Sequence, residues 1–380
     1  MIYADNAAST AMSETACKVM MKYLNECYAN PSSLHRAGCD AAKVLFEARQ
    51  TIAECICARP REIYFTSGGS ESDNQAVLSA AAAGRRSGKM HIISTAVEHH
   101  AVLSTLEKLA GEGFDVQLLN VDQNGCVSPL QVEKAIRDDT CLVSVMYANN
   151  EIGTVMPVRE IGAVCRRKGV LFHTDAVQAA GHIPINVVKD NIDMLSISAH
   201  KFHGPKGTGV LYARKGVMLE SLINGGAQER GKRAGTENVP AIAAMAAALK
   251  ECCDEMQNST QYVCALRDKL ISGISAITQS TLNGDLKNRL PGSVSFCFEG
   301  IEGESLLLLL DKQGICASSG SACTSGSLEP SHVLLAIGRS RQLAKSSLRL
   351  SLSRYNTPQQ ADQIIKAVTQ AVMLLRTHDC

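Results

Sequence analysis

Lys201 follows directly on the apolar run DMLSIS (193–198), in SAHKFHGPKG, and precedes a Gly/Pro-rich turn. A lysine held at a strand end can offer the desolvated amine that a Schiff base requires, whereas a lone lysine is ordinarily solvated surface. In VLFHTDAVQAAG, Asp175 closes another apolar run. An ionised carboxylate there needs a cationic partner, such as a protonated pyridine nitrogen; the plainer role is a helix N-cap. Gln178, three residues on, can donate to a ring oxygen or be a surface amide. FTSGGSESDN (65–74) runs from strand through glycines and hydroxyls into a helix, the pattern of a phosphate cradle of backbone N–H groups. In that cradle Gly69 permits close approach and Ser70 supplies a hydroxyl, although a tight strand–helix turn reads the same way. Neither GxxxxGK[ST] nor GxGxxG is present, so nucleotide motifs do not account for it. His99, in VEHHAVL, can stack on a ring and move protons, or be polar surface. SSGSACTSGS (318–327) sets one thiol, Cys323, among small neighbours that leave its sulfur reachable, as a travelling nucleophile or a surface loop would have it. His200 and His203 form an HxxH pair, but the intervening Lys201 and the lack of acidic ligands argue against a metal site.

The elements that must position these residues alternate. From about residue 45 to 215, EIYFT, MHIIST, VQLLN, CLVSVMY, VLFHTD and DMLSIS read as strands between helical runs. Ser128, Pro129 and Gln131 spell a capping box, and Pro157 and Gly169 bracket PVREIGAVCRRKG. Such alternation predicts an α/β fold with a mostly parallel sheet, whose ligands bind beyond the carboxyl ends of the strands. A long helical stretch from VPAIAAMAAALKECCDEM to about residue 277 leads into a second unit. There GSVSFCFEG, ICASS and SLRLSLS read as strands, and GESLLLLLDKQG and TPQQADQIIKAVTQAVMLL as helices.

At 380 residues and 40.6 kDa the chain exceeds the usual size of one hydrophobic core. A net charge of +1 gives no support for a nucleic-acid partner, and the absence of Trp argues against a surface built to stack bases. The 15 cysteines include no CxxC pair, and several sit in apolar helical runs, a usage that fits a reducing cytosol. MIYADNAAST has no secretory-leader pattern, and LLLLL at 306–310 is too short to span a bilayer, so a soluble, cytoplasmic protein is expected.

Together a strand-end lysine, a neighbouring strand-end acid, a Gly/Ser loop and a ring-side histidine are the parts of a pyridoxal 5′-phosphate (PLP) site. The chain also resembles, nearly end to end, the NifS/IscS-type cysteine desulfurases of the class V aminotransferases. The resemblance is carried in order by DNAAST, NPSSLH, FTSGGSESDN, EHHAV, NNEIGT, HTDAVQAAG, SAHKFHGPKG, QERGKRAGTEN and SSGSACTSGSLEPSH. QERGKRAGTEN and RLPGSVSF point to the NifS-like branch.

The resemblance implies a fold-type-I PLP enzyme, with a large, mostly parallel sheet domain flanked by helices and a smaller α+β domain. Residues 1–15 would pack with the small domain, 16–255 form the PLP-binding domain, and 256–380 form the small domain with the Cys323 loop. The implied reaction converts L-cysteine to L-alanine in a homodimer. Lys201 would be the Schiff-base lysine, Asp175 the partner of the pyridine nitrogen, His99 the ring-side residue and Gln178 the donor to the phenolic oxygen. Gly69, Ser70, Ser198 and His200 would hold the phosphate, with Thr236 contributed across the dimer interface. Asn150 and Arg349 would hold the substrate carboxylate, Asn150 also lying against the cofactor, and Cys323 would take the sulfur as a persulfide. The sulfur would pass to an iron–sulfur scaffold of the NifU/IscU type or to another acceptor. No intrinsic metal is implied, Cys323 serving at most as a transient iron–sulfur ligand with a scaffold. Two departures stand out: Ser70 where many members have Thr, and Leu350 where Phe is frequent. Rival readings are an aminotransferase or selenocysteine lyase on the same fold, and a non-catalytic cysteine-rich redox or metal-storage protein.

Overall fold

The computed structural model describes residues 1–320 and 329–378. Cys323 lies outside the described residues. In chain order the strands are β1 (Ile2–Tyr3), β2 (Ile63–Thr66), β3 (His91–Thr95), β4 (Asp115–Leu119), β5 (Thr140–Ser144), β6 (Leu171–Asp175), β7 (Met194–Ser198), β8 (Gly209–Ala213), β9 (Ser280–Leu282), β10 (Ser293–Phe298), β11 (Ile315–Cys316) and β12 (Ser347–Ser351). Seven of them form one sheet in the order β2-β8-β7-β6-β5-β3-β4. The ladders from β7 through β6, β5 and β3 to β4 are parallel, as the strand–helix alternation requires. Only β8 runs antiparallel to its neighbours β2 and β7. It is the strand that the alternation does not predict. The turn GPKGT (204–208), with Gly207 at φ 78°, reverses the chain without a crossover helix.

Alternation within the strands decides which face each residue serves. Ile93, Val143, Phe172, Leu195, Ile197 and Val210 pack into one core with the helices Arg36–Cys55 and Val239–Asp254. Ile92, Leu142, Met194 and Leu211 pack on the other side with the helices Gly69–Arg86 and His100–Gly111. Both faces are therefore covered, which is why these strands carry so little exposed surface.

The caps predicted from the sequence are formed. Ser128 and Gln131 make the capping box, and Thr357 does the same with Gln360. Gly169 takes the left-handed conformation that ends its helix, whereas Pro157 sits at the N-cap rather than inside the first turn. The long helical stretch is two helices, Val239–Asp254 and Met256–Ser275, that meet at Glu255. The second core gathers β10, β12 and the helices Met256–Ser275, Gly303–Lys312 and Pro358–His378. β10 pairs antiparallel with β9 and β12, and β1 joins this core by pairing parallel with β11. Of the run ICASS only Ile315–Cys316 forms a strand, while Ser318 bridges to Arg349. No described helix is long and apolar enough to cross a membrane.

Candidate active site

Because β5, β6 and β7 are parallel, Ser144, Asp175 and Ser198 come to the same edge of the sheet. Phe172, Leu195 and Ile197 point to one core, so the alternate residues His173, Asp175, Ser196 and Ser198 face the start of the helix Gly69–Arg86. A polar row thus lies under the strand ends, inside an otherwise apolar sheet.

Asp175 is only 6% exposed, and its Oδ1 accepts from the Val177 amide at 2.9 Å. The carboxylate thus closes a local turn rather than capping a helix, since no helix follows Asp175 before β7. Burial pushes its pKa up, while His99 and Lys201 pull the other way. Lys201 leaves β7 in the short turn Ala199–Lys201, and its ammonium donates to the carbonyls of Ala7 at 2.7 Å and Ala8 at 2.8 Å. Gln178 Nε2 donates to the same Ala7 carbonyl at 2.9 Å. His99 caps the helix His100–Gly111, its Nδ1 accepting from the Ala101 amide at 3.1 Å. That bond leaves the proton of the neutral ring on Nε2. His99, Asp175 and Asp73 bring polar side-chain atoms within 4.8 Å of one another.

The glycine loop is as tight as a cradle requires. A Cβ on Gly69 would stand 2.5 Å from Val177 Cγ2, and one on Gly68 would stand 3.6 Å from Ser198 Oγ. Ser70 is exposed in the first helical turn, where backbone N–H groups have no partner within the helix. His200 Nδ1 meets Ser9 Oγ at 3.3 Å. Burial, with Lys201 and Lys206 nearby, lowers His200 to about 4, so it is a neutral hydrogen-bonding group at physiological pH. Thr236 lies beside the residue that precedes the glycine loop, Ser67. It is exposed and lines a cavity of ≈ 200 Å³ with Ser67, Thr208 and Glu229 of its own chain.

Arg349, on β12, is 1% exposed, and its Nη2 pairs with Asp5 Oδ1 at 3.0 Å. Its Nη1 donates to the Asn150 carbonyl at 3.2 Å, which brings the two predicted substrate residues together. Its Nε is buried and has no partner among the described residues. The loop carrying Asn150 is fixed by Asn149, whose Oδ1 accepts from the amides of Glu151 and Ile152.

Several groups at the site are not evident from the sequence reading. Glu151 is buried and accepts from Ser331 Oγ at 2.5 Å; burial raises it to about 7 although Ser331, Arg349 and His99 pull it down. Glu98 is buried behind His99, with Thr95 Oγ1 at 2.6 Å and the Met146 amide at 3.0 Å, and burial raises it to about 8. Asp73, His173, Ser144 and Ser196 form the polar row below Asp175. The signal for the row was present: polar residues at alternate positions of LFHTD and MLSIS, opposite an acid in the helical ESDN.

Residues 2–364 match the family described as aminotransferase class-V. The chain is 50% identical over 375 residues to a cysteine desulfurase IscS of Methanosarcina thermophila, covering 99% of this chain and 93% of that protein. It is 47% identical over 374 residues to a cysteine desulfurase IscS of Clostridium botulinum (strain Hall), covering 98% and 94% respectively. Among solved structures it is similar to a NifS-like protein with a TM-score of 0.92 and 38% identity, over 98% of this chain and 99% of that one. It is also similar to a structure titled SspA in complex with cysteine, at a TM-score of 0.82 and 36% identity over 94% of this chain and 100% of that one.

Proposed function

The chain belongs to the aminotransferase class-V family, as one of its cysteine desulfurases, and from that premise we propose how its residues divide the work. The cofactor is PLP, and the residues present fit it. One observation carries this: His99 and Lys201 both act on Asp175 at the carboxyl end of β6, His99 within 4.8 Å of it, beside a glycine cradle that a Cβ on Gly69 would fill. Bound there, PLP supplies a carbonyl that condenses with amines and a ring that takes up electrons from the substrate α-carbon.

The side chains do the rest. Asp175 holds a proton at the pyridine nitrogen, His99 covers the ring face, and Gln178 donates to the phenolic oxygen. Gly69, Ser70, Ser198 and His200 take the phosphate, with Thr236 reaching in from the second subunit of a homodimer. Arg349 and Asn150 fix the carboxylate of L-cysteine, and Lys201 moves the proton at its α-carbon. The thiolate of Cys323 takes the substrate sulfur, so that cysteine and one protein thiol become alanine and one protein persulfide. The persulfide sulfur goes to an iron–sulfur scaffold or another thiophilic acceptor. We divide the chain into residues 1–15, which dock on the small domain, a large domain of 16–255 and a small domain of 256–380. The cysteine usage suits a reducing cytoplasm, where we place it.

The deciding experiment follows sulfide and alanine release from L-cysteine with a reductant, wild type beside Cys323→Ala, with the visible absorbance of bound PLP recorded for both. Equal sulfide and alanine from the wild type, none from the variant, and PLP absorbance in both are expected. A protein that stays colourless and inactive with added PLP overturns the cofactor assignment. Desulfuration that ignores Cys323 overturns the role of that thiol.

A further inference from the structure

Directly beneath Asp175 lies a second buried acid that the reaction, as divided above, does not use. Asp73 sits in the first turns of the helix Gly69–Arg86 and is 1% exposed. Its carboxylate approaches that of Asp175 within 4.8 Å, and it hydrogen-bonds to Ser196 on β7. Its Oδ1 has no hydrogen-bond partner among the described residues. Two ionised carboxylates cannot share so dry a space without a large mutual cost, so a proton must be held by one of them.

The surroundings decide which. The charged and titratable groups facing the pair are Glu98 behind the strand β3, His99 at its helix start, His173 on β6 and Lys201 after β7. His99 and Lys201 both pull on Asp175, and His99 also stands within 4.8 Å of Asp73. The group nearest Asp73 is His173, with Nε2 at 3.6 Å from Oδ1. That ring is fully buried between Ser144 Oγ at 2.9 Å and Ser196 Oγ at 3.1 Å, and burial lowers it to about 3, so it offers no cation. Asp73 thus meets burial and two negative neighbours, whereas the Asp175 carboxylate also receives the Val177 amide. Burial, then Asp175, then Glu98 all push it well above the usual carboxylate range, only Ser196 opposing them. An orphaned oxygen is tolerable on a neutral carboxyl and very costly on an ionised one.

We propose that Asp73 is a positioning residue that carries a proton in the folded enzyme, its neutral carboxyl keeping the single negative charge of the pair on Asp175, against the pyridine nitrogen. Asp73 acts through Ser196 and Asp175 and does not itself touch the cofactor. The proposal rests on the PLP reading, and the experiment separates the two. Apoprotein is prepared as wild type, Asp73→Asn, Asp73→Ala and Asp175→Asn, and PLP affinity is read by titration of visible absorbance. The neutral amide should rescue: Asp73→Asn should bind PLP within about threefold of wild type, since one neutral polar group replaces another. Asp73→Ala, which opens a hole beside Ser196, should bind roughly tenfold more weakly. Asp175→Asn should lose on the order of a hundredfold.

A second measurement begins without PLP and without any variant. Infrared spectroscopy of apoprotein carrying carboxyl-labelled aspartate should show a protonated aspartate at neutral pH. That band should persist when PLP is added and vanish in Asp73→Asn. Loss of PLP affinity in Asp73→Asn equal to that in Asp175→Asn, or an apoprotein without a protonated aspartate, overturns the proposal. A wild type that binds no PLP overturns the cofactor reading, and the infrared band still decides the protonation of Asp73.

Discussion

Glu151→Gln should make the protein more stable in alkali relative to wild type, and the size of the gain can be worked out. The carboxyl of Glu151 is buried, with Ser331 Oγ donating to Oε2 and a Cβ on Gly320 excluded at 2.8 Å from the same oxygen. Gly320 and Ser331 stand on either side of the stretch that contains Cys323. Burial moves the pKa from 4.5 to about 7, against the pull of Ser331, Arg349 and His99. A raised acid favours the folded state in its protonated form. The favourable contribution is complete below about pH 4.5 and lost as pH rises through about 7, in total about 3 kcal/mol. Glutamine imitates the neutral acid and does not titrate. Its effect at low pH is limited to exchanging one hydrogen bond with Ser331, about 1 kcal/mol. Between about pH 5 and about pH 9 the stability of Glu151→Gln relative to wild type should therefore rise by roughly 2 kcal/mol. Urea unfolding midpoints of both proteins at the two pH values measure this directly, and all other titrating groups cancel in the comparison. A difference between the proteins that does not change with pH would refute the reasoning, because it would mean that Glu151 ionises in the fold as easily as it does in water.

Two further outcomes follow from the site. Gly69→Ala places a methyl 2.5 Å from Val177 Cγ2, so the cradle must open; PLP affinity of the apoprotein should fall by about tenfold, and Val177→Ala in the same chain should restore most of it. A double variant no better than the single one would show that the loop gives way elsewhere. Arg349→Lys keeps the charge but loses the planar fork held between Asp5 and the Asn150 carbonyl. Steady-state kinetics should show KM for L-cysteine raised roughly tenfold with kcat changed less, and an unchanged KM would remove Arg349 from substrate binding.

The inner parallel strands β3, β5, β6 and β7 were legible because both their faces are buried, so each is a short, mostly apolar run between helical stretches. β8 was not, since GVLYA has the same composition as its neighbours and its direction is set by the tight turn before it. Lys201, Asp175, Gln178 and His99 could be found from the sequence because each ends a strand or follows one closely, where an α/β sheet exposes its ligand edge. Ser144, His173 and Ser196 are harder. Polar residues at alternate strand positions ordinarily mean a solvated face, and here that face is sealed by a helix whose own polar residue is Asp73. Sequence order says nothing about which helix supplies the seal. Asp5 was invisible for a similar reason, since its partner Arg349 lies 344 positions away.

That long-range contact gives the N-terminal segment a chemical as well as a structural role. β1 is held in register against β11, and Asp5 bridges to Ser351 on β12, so DNAAST is carried across the site at a fixed height. Along it, Asp5 meets Arg349, Ala7 accepts from Gln178 and Lys201, Ala8 accepts from Lys201, and Ser9 and Thr10 meet His200. The two cations are treated differently. Lys201 is given carbonyl acceptors, which satisfy its N–H groups without cancelling its charge, so that charge still acts on Asp175. Arg349 is given a carboxylate, but on one nitrogen only, and its Nε has no acceptor among the described residues. On the proposal that Arg349 takes the substrate carboxylate, that nitrogen is the group left to meet it, while Asp5 holds the guanidinium in place.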